Sequence, residues 1–376
     1  MPDSPEPRAA VLVMVARRST RVIQMRRSAP PPRPPLGRRL AVALVYAAAL
    51  DLTGAAAVLA GAVAAPEAAA PGDALPTPTP GQMVDALHTA FGVHPARAVH
   101  AKGILARGVF TPSSDAKSLT KASLFRQASV PVTIRFSDFT GIPDIPDTLG
   151  AANPRGMAIK FAGDDADDLD IVTHSFNGFP TRTASEFRLL LVAIGASGPD
   201  APHPNAVERF LGDHPVAKTF LTTQKPAPVS FATLSYFGVN AFKWTNRQDH
   251  FVYVRYRFIP VLGDEVLTPE QIAQQGPNYL REELPRRLAK GPVTYEWYAQ
   301  IAGAGDAIDD PSVAWPEDRT LIKLGRIRID AIIQDQASAD KQTLFLPANA
   351  PAGIEPADPM IAIRQGAYPI SFRARQ

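Results

Sequence analysis

Apolar and polar residues alternate over two long stretches of this chain. In Phe251–Leu262, Val252, Val254, Tyr256 and Phe258 occupy every second position, and Leu321–Ile333 repeats the pattern. A period of two predicts strands with one buried face. Val130–Phe136 and Met157–Phe161 are shorter but rich in Val, Ile and Phe, and also read as strands. Helical spacing recurs between them. Met83, Leu87 and Phe91 share one face of a short amphipathic helix within Gly81–Gly92, and Ser185–Gly195 reads as a helix. Thr268–Leu288 is charged and helical, with a break at Gly276-Pro277. Strands and helices without regular βαβ alternation predict an α+β domain built round an antiparallel barrel. No internal repeat and no Walker, dinucleotide-binding or HExxH pattern is present.

The N-terminal quarter has a different texture. Gly37-Arg38-Arg39 precedes the apolar run Leu40–Leu50, then Asp51 and the Ala-rich Leu52–Ala65. A basic flank, an apolar segment and small residues at Ala62-Val63-Ala64 resemble a secretory signal cleaved near Ala64. Leu40–Ala65 is also long enough for an uncleaved membrane anchor, although Asp51 would be costly within a bilayer. The paired arginines fit a twin-arginine export signal only weakly. The expected organisation is a basic Pro/Arg-rich extension over 1–36, a signal or anchor over 37–65, a Pro/Ala-rich linker over 66–80 and one folded domain over 81–376. Translation from Met14 or Met25 would shorten the first segment. The expected location is outside the cytoplasm, periplasmic or membrane-anchored.

Charge follows the same division. The chain is +3 overall, but residues 1–40 hold nine Arg and two acids, which leaves Pro71 onward at −2. The folded part is therefore not basic, and nucleic acid is not expected as a partner. Cysteine is absent, which excludes disulfides, iron–sulfur clusters, thiolate-bound haem and cysteine nucleophiles. Asp164, Asp165, Asp167, Asp168 and Asp170 lack EF-hand spacing and its closing Glu, so they read as a solvated turn.

The candidate chemistry lies at the two ends of the domain. In Ile363-Arg364-Gln365-Gly366-Ala367-Tyr368, the arginine precedes the tyrosine by four residues, on one face of a helix. A guanidinium so placed holds a phenol as phenolate, the form that ligates iron. Far upstream stands Arg97-Ala98-Val99-His100. Taken alone, one of seven histidines and one of eight tyrosines are more often packed or surface residues than ligands.

Several motifs in series change that balance. Arg97-Ala98-Val99-His100-Ala101-Lys102-Gly103, Ile134-Arg135-Phe136-Ser137, Asp147-Thr148 with Pro154-Arg155-Gly156-Met157-Ala158-Ile159-Lys160-Phe161, Tyr236–Trp244 and Arg364/Tyr368 occur in the order of the haem catalases. The chain resembles that family over roughly 81–376, and within it the small branch of catalase-related peroxidases, because it stops eight residues after Tyr368. The resemblance implies a catalase-type antiparallel β-barrel with flanking helices, haem b (heme b, iron protoporphyrin IX) buried between barrel and helices, and no C-terminal flavodoxin-like domain. It implies His100 as the distal proton shuttle near its unperturbed pKa, Ser137 as the group orienting its ring, and Arg97 and Arg135 as partners of the haem propionates. Tyr368 would ligate the iron, with Arg364 holding it anionic. Because Pro369 disfavours helical geometry before it, the helix is expected to end at Tyr368.

Two positions depart from the family pattern. In Asp170-Ile171-Val172-Thr173-His174-Ser175-Phe176-Asn177 the ungapped place of the catalase distal Asn is taken by His174, with Asn177 in competition for the role. Asn240 stands where large catalases have a histidine. The loss of the Asn fits poor disproportionation of hydrogen peroxide and better peroxidase activity. The expected function is reduction of organic or hydrogen peroxide by a small-molecule electron donor. A true catalase or a fatty-hydroperoxide rearranging enzyme is an alternative, and a non-catalytic haem-binding or peroxide-sensing protein is another. The sequence does not set the oligomeric state.

Overall fold

The computed structural model describes residues 75–376, apart from 165–167 and 224. Nine strands form one antiparallel sheet: β1 (Gly103–Pro112), β2 (Val130–Ser137), β3 (Gly156–Phe161), β4 (Leu169–His174), β5 (Tyr236–Thr245), β6 (Phe251–Pro260), β7 (Val293–Ile301), β8 (Leu321–Ile332) and the short β9 (Ile354–Pro356). Their order is β4-β3-β2-β1-β8-β7-β6-β5-β9, and β4 also pairs with β5, which closes eight strands into the expected barrel. That seam is the single register pair His174↔Phe237. The alternating residues of the sequence fill the interior: Phe110, Phe136, Phe161, Tyr256, Phe258 and Trp297 are almost fully buried. Phe258 and Trp297 stack at 5.5 Å between ring centroids.

Helices flank the barrel. They are α1 (Pro80–Phe91), α2 (Ala116–Leu119), α3 (Ala184–Gly195), α4 (Ala206–Asp213), α5 (Pro215–Thr222), α6 (Pro269–Ala273), α7 (Tyr279–Lys290), α8 (Gln336–Gln342) and α9 (Met360–Ala374). Four of them, α1, α3, α4 and α6, open on reciprocal caps. In α1, Thr79 Oγ1 accepts from the Gln82 amide and Gln82 Oε1 from the Thr79 amide, and in α3 Thr183 and Glu186 do the same. α1, α3 and α9 share a second apolar core that includes Met83, Val84, Leu87, Leu191, Met360 and Ala367. The approach of α1 to α9 depends on Gly366, where a Cβ would lie 2.5 Å from the Pro80 ring.

The helix carrying Tyr368 does not end there. α9 runs on through Pro369 to Ala374. Proline removes one backbone donor, but the turn beyond it is anchored: Ile370 packs on the α1/α3 core, and Ser371 Oγ accepts from the Ala98 amide at 3.1 Å. Tertiary contacts outweigh the local preference of the residue before proline. Pro285 lies inside α7 in the same way. Among the described residues no helix is long and apolar enough to cross a membrane. The expected extension over 1–36 and the signal or anchor over 37–65 lie outside the described residues, as does most of the linker.

Candidate active site

A cavity of about 1390 Å³, its open mouth included, lies between the barrel wall and α1, α3 and α9. All seven residues singled out in the sequence line it: Arg97, His100, Arg135, Ser137, His174, Arg364 and Tyr368. They come from the segment before β1, from β2, from the seam end of β4 and from one face of α9. Much of the remaining lining is apolar, including Met83, Val84, Leu87, Phe179 and Phe187.

His100 is held from several sides. Its backbone sits at φ 54°, a left-handed conformation that costs a non-glycine residue about 1–3 kcal/mol. The His100 amide donates to Phe139 O at 3.1 Å, and Arg135 donates to the carbonyls of His100 and Ala101 at 2.9 and 3.1 Å. The ring Nδ1 lies 2.9 Å from Asp138 O and 3.0 Å from Ser137 Oγ. A carbonyl oxygen can only accept, so Nδ1 carries the proton and Nε2 keeps its lone pair. Gly156 makes room for this arrangement, because a Cβ there would stand 2.5 Å from Ser137 Oγ and 2.7 Å from His100 Nδ1. The sequence led us to expect an imidazole near its ordinary pKa, and the structure corrects that. Burial, with Arg135, Arg364 and Arg97 nearby, pulls it down to about 3, which fixes the ring as a neutral base.

The two competitors for the second polar position separate clearly. His174 ends β4 at the barrel seam and lines the cavity, 8% exposed, with no hydrogen-bond partner on either ring nitrogen. Burial first, then His100, Arg364 and Lys225, pulls its pKa down to about 3, so it too is neutral. Asn177 lies beyond the strand end and donates to Glu317 Oε1 at 3.2 Å on the exposed side.

On α9, Arg364 grips the phenol as its four-residue spacing predicts. Nη2 and Nε donate to Tyr368 Oη at 2.9 and 3.2 Å. The same guanidinium donates through Nη1 to Asn240 Oδ1 at 2.5 Å, and Asn240 Nδ2 donates to Asp358 Oδ2 at 2.8 Å. Asn240 thus orients the arginine and links it to a buried carboxylate. Asp358 escaped the sequence reading, and nothing local to it signals the connection.

A third group is cationic. Arg97 and Arg135 both contact Asp340 Oδ1, at 3.4 and 2.6 Å, and Arg375 donates to Thr343 O beside them at 2.8 Å. The Arg375 Nε meets no acceptor although the residue is buried. Three guanidiniums face one carboxylate. Burial together with mutual repulsion lowers the pKa of Arg97 to about 9 and of Arg375 to about 10. Guanidinium does not shed its proton in a protein, so three cations share the one Asp340 carboxylate. Arg375 was missed in the sequence because the helix was expected to end at Tyr368, seven residues before it, whereas the helix runs on to Ala374 and Arg375 caps it. Asp340 is 243 positions from Arg97 and gave no signal.

These residues fit a haem. The cavity offers a phenol oxygen held by two N–H donors, an imidazole with a free Nε2, a second imidazole with both nitrogens orphaned, and three guanidiniums, able to take a haem's carboxylates, round a single carboxylate. No cluster of three or more His, Asp or Glu poised for a bare metal ion exists among the described residues. Of the Asp-rich turn, Asp170 pairs with Lys160 and Asp168 accepts from the Gly163 amide at 3.2 Å, while Asp165 and Asp167 lie outside the described residues.

Comparison with known proteins agrees. A family profile described as catalase matches residues 87–376. A catalase-related peroxidase of Synechococcus elongatus is 33% identical over 303 residues, covering 79% of this chain and 88% of the relative. One from Mycolicibacterium paratuberculosis is 34% identical over 303 residues, covering 79% and 95%. A fungal catalase and a bacterial catalase superpose with TM-scores of 0.67 and 0.65 at 23% and 25% identity. Each match covers 75% of this chain, which spans 59% and 57% of those longer proteins. With the profile running from α1 to the last residue, and two relatives a third identical over most of their own length, the chain belongs to the catalase family.

Proposed function

We propose that this haem peroxidase-type oxidoreductase binds haem b in the cavity and reduces hydrogen peroxide and organic hydroperoxides with electrons from an external small-molecule donor, in antioxidant defence. When bound, the haem supplies the iron at which the peroxide O–O bond breaks and through which electrons arrive. Tyr368 is the protein ligand in this reading, with its oxygen held by two Arg364 N–H groups. Arg97, Arg135 and Arg375, which share one carboxylate, take the haem carboxylates. His100 Nε2 removes the proton from the peroxide hydroxyl and delivers it to the departing oxygen, which leaves as water or alcohol. Ser137 and the Asp138 carbonyl keep the ring aimed and its proton on Nδ1 throughout.

The observation that carries the reading is the meeting, around one cavity, of an imidazole locked in the Nδ1–H form and a phenol gripped by a guanidinium. Stopped-flow mixing of His100→Ala with peroxide tests it. Haem should remain bound while the first step slows by about two to four orders of magnitude, the range for a lost acid–base group. A rate near that of the native protein would remove His100 from the mechanism.

A further inference from the structure

Behind His100 lies a charged cluster that the mechanism above does not use. Lys102, Asp138, Asp147 and Arg155 are all buried, with Asp138 and Asp147 each 1% exposed and Arg155 0%. Burying four charges is justified only where each finds its partners. Arg155 contacts Asp138 Oδ1 through Nη1 and donates to Asp147 O through Nη2 at 2.5 Å. Lys102 spends its three donors on Asp147 Oδ1, Ile145 O at 2.7 Å and Pro277 O at 2.8 Å. Asp147 Oδ2 accepts from the Leu280 amide at 2.9 Å. Asp138 Oδ2 is left over: Lys102 Nζ stands 3.9 Å away with no donor free, and no hydrogen-bond donor reaches this oxygen. The Asp147 carboxyl is near enough to push the Asp138 carboxyl upward both by its charge and by competing for a shared hydrogen. Two carboxyl oxygens can bond to each other only when one carries a proton.

Resting on the reading of His100 as the base, we propose that Asp138 is a positioning residue for His100, and that its carboxyl shares one proton with Asp147 at neutral pH. The link to the site is short. Asp138 O accepts from His100 Nδ1, Ser137 on one side of it bonds the same nitrogen, and Phe139 on the other accepts the His100 amide and sets its ring edge-on to the imidazole at 5.4 Å. Burial, opposed by Arg155 and aided by the adjacent Asp147 carboxylate, pushes the Asp138 carboxyl upward. The other groups facing the cluster stay fixed near neutrality: burial holds the Tyr236 and Tyr279 phenols protonated, and His100 is neutral. Loss of the shared proton to solvent leaves two carboxylates in contact in a dry site. Their repulsion displaces residues 137–139 and with them the imidazole.

Asp138→Asn tests this in the haem-loaded protein. The amide oxygen still accepts from Arg155 and its nitrogen donates to Asp147, so the variant imitates the protonated pair at every pH. The native protein should lose a protonated-carboxyl C=O band in infrared difference spectra between about pH 6 and about pH 8, and its peroxide rate constant should fall severalfold over that window. Asp138→Asn should show neither change. No such band in the native protein, or the same rate profile in Asp138→Asn with only its melting temperature altered, would overturn the proposal. Should Asp138→Asn fail to fold, Asp147→Asn serves, because a lone Asp138 beside Arg155 ionises at lower pH and moves both signals below the window; unmoved signals overturn the proposal equally. Full activity in His100→Ala would instead sink the reading on which it rests, and it would leave the infrared band in place.

Discussion

His174 stands in the cavity with both ring nitrogens unpartnered and its charge suppressed by burial and by neighbouring cations. As the proposed counterpart of the catalase amide it is a bulkier ring, positioned at the barrel seam and beside Phe220, edge-on at 6.3 Å. Disproportionation needs a second hydrogen peroxide positioned as reductant, and positioning of that kind is sensitive to a displaced polar group. Peroxidase turnover with an alkyl hydroperoxide and an aromatic donor should therefore exceed oxygen release from hydrogen peroxide, and His174→Asn should raise oxygen release. Vigorous oxygen release by the native protein, unimproved in the variant, would contradict this. The pH response of His100 belongs to the same scale. Its pKa, lowered to about 3, keeps the base unprotonated far below neutrality, so the peroxide step should not slow between about pH 7 and about pH 5. An imidazole at its ordinary value would lose its base form across that interval, and such a loss would show that the site does not depress it.

Among the elements, α9 carries the most function, and its seat on α1 depends on one missing side chain. Gly366→Ala would gain about 1 kcal/mol of helix propensity. Against that, its Cβ would meet the rigid Pro80 ring at 2.5 Å, an overpacking worth about 1–3 kcal/mol. Packing should win: thermal denaturation should show a destabilised variant, and haem titration a weaker complex, since Tyr368 and Arg364 ride on the displaced helix. A stabilised variant would mean that α1 yields freely. The elements differ in how well the sequence announced them. The alternation in Phe251–Leu262 and Leu321–Ile333 was legible because each of those strands has one face in the barrel core. β1 and β7 were not read as strands. In β1, Gly108 interrupts the pattern where a register shift brings Arg328 O to 2.2 Å from any Cβ. The short α4 and α5 also went unread, and α9 outlasted Pro369 because contacts remote in sequence hold its final turn. The residues of the site were legible through motif order and the Arg364–Tyr368 spacing. Asp340 and Asp358 were not, because their partners lie more than a hundred residues away in sequence, and the roles of Asp138 and Asp147 were not, because nothing in the β2–β3 connection announces that both carboxyls are buried.

At the scale of the molecule, the barrel and the α1/α3/α9 layer each contribute one side of the chemistry. The segment from Arg97 to β2 supplies the base and its supports, the β4–β5 seam supplies His174, and α9 supplies the phenol with its guanidinium. Neither layer makes a site alone, which explains why the candidate residues are spread from 97 to 375. The central claim is that this shared cavity holds a haem through Tyr368. The most direct measurement is the ferric electronic and electron paramagnetic resonance spectrum of the haem-loaded native protein beside that of Tyr368→Phe. The native protein should give a high-spin tyrosinate signature, and the variant should lose it or bind haem poorly. An unchanged spectrum in Tyr368→Phe would contradict the account and transfer the ligand role to another residue.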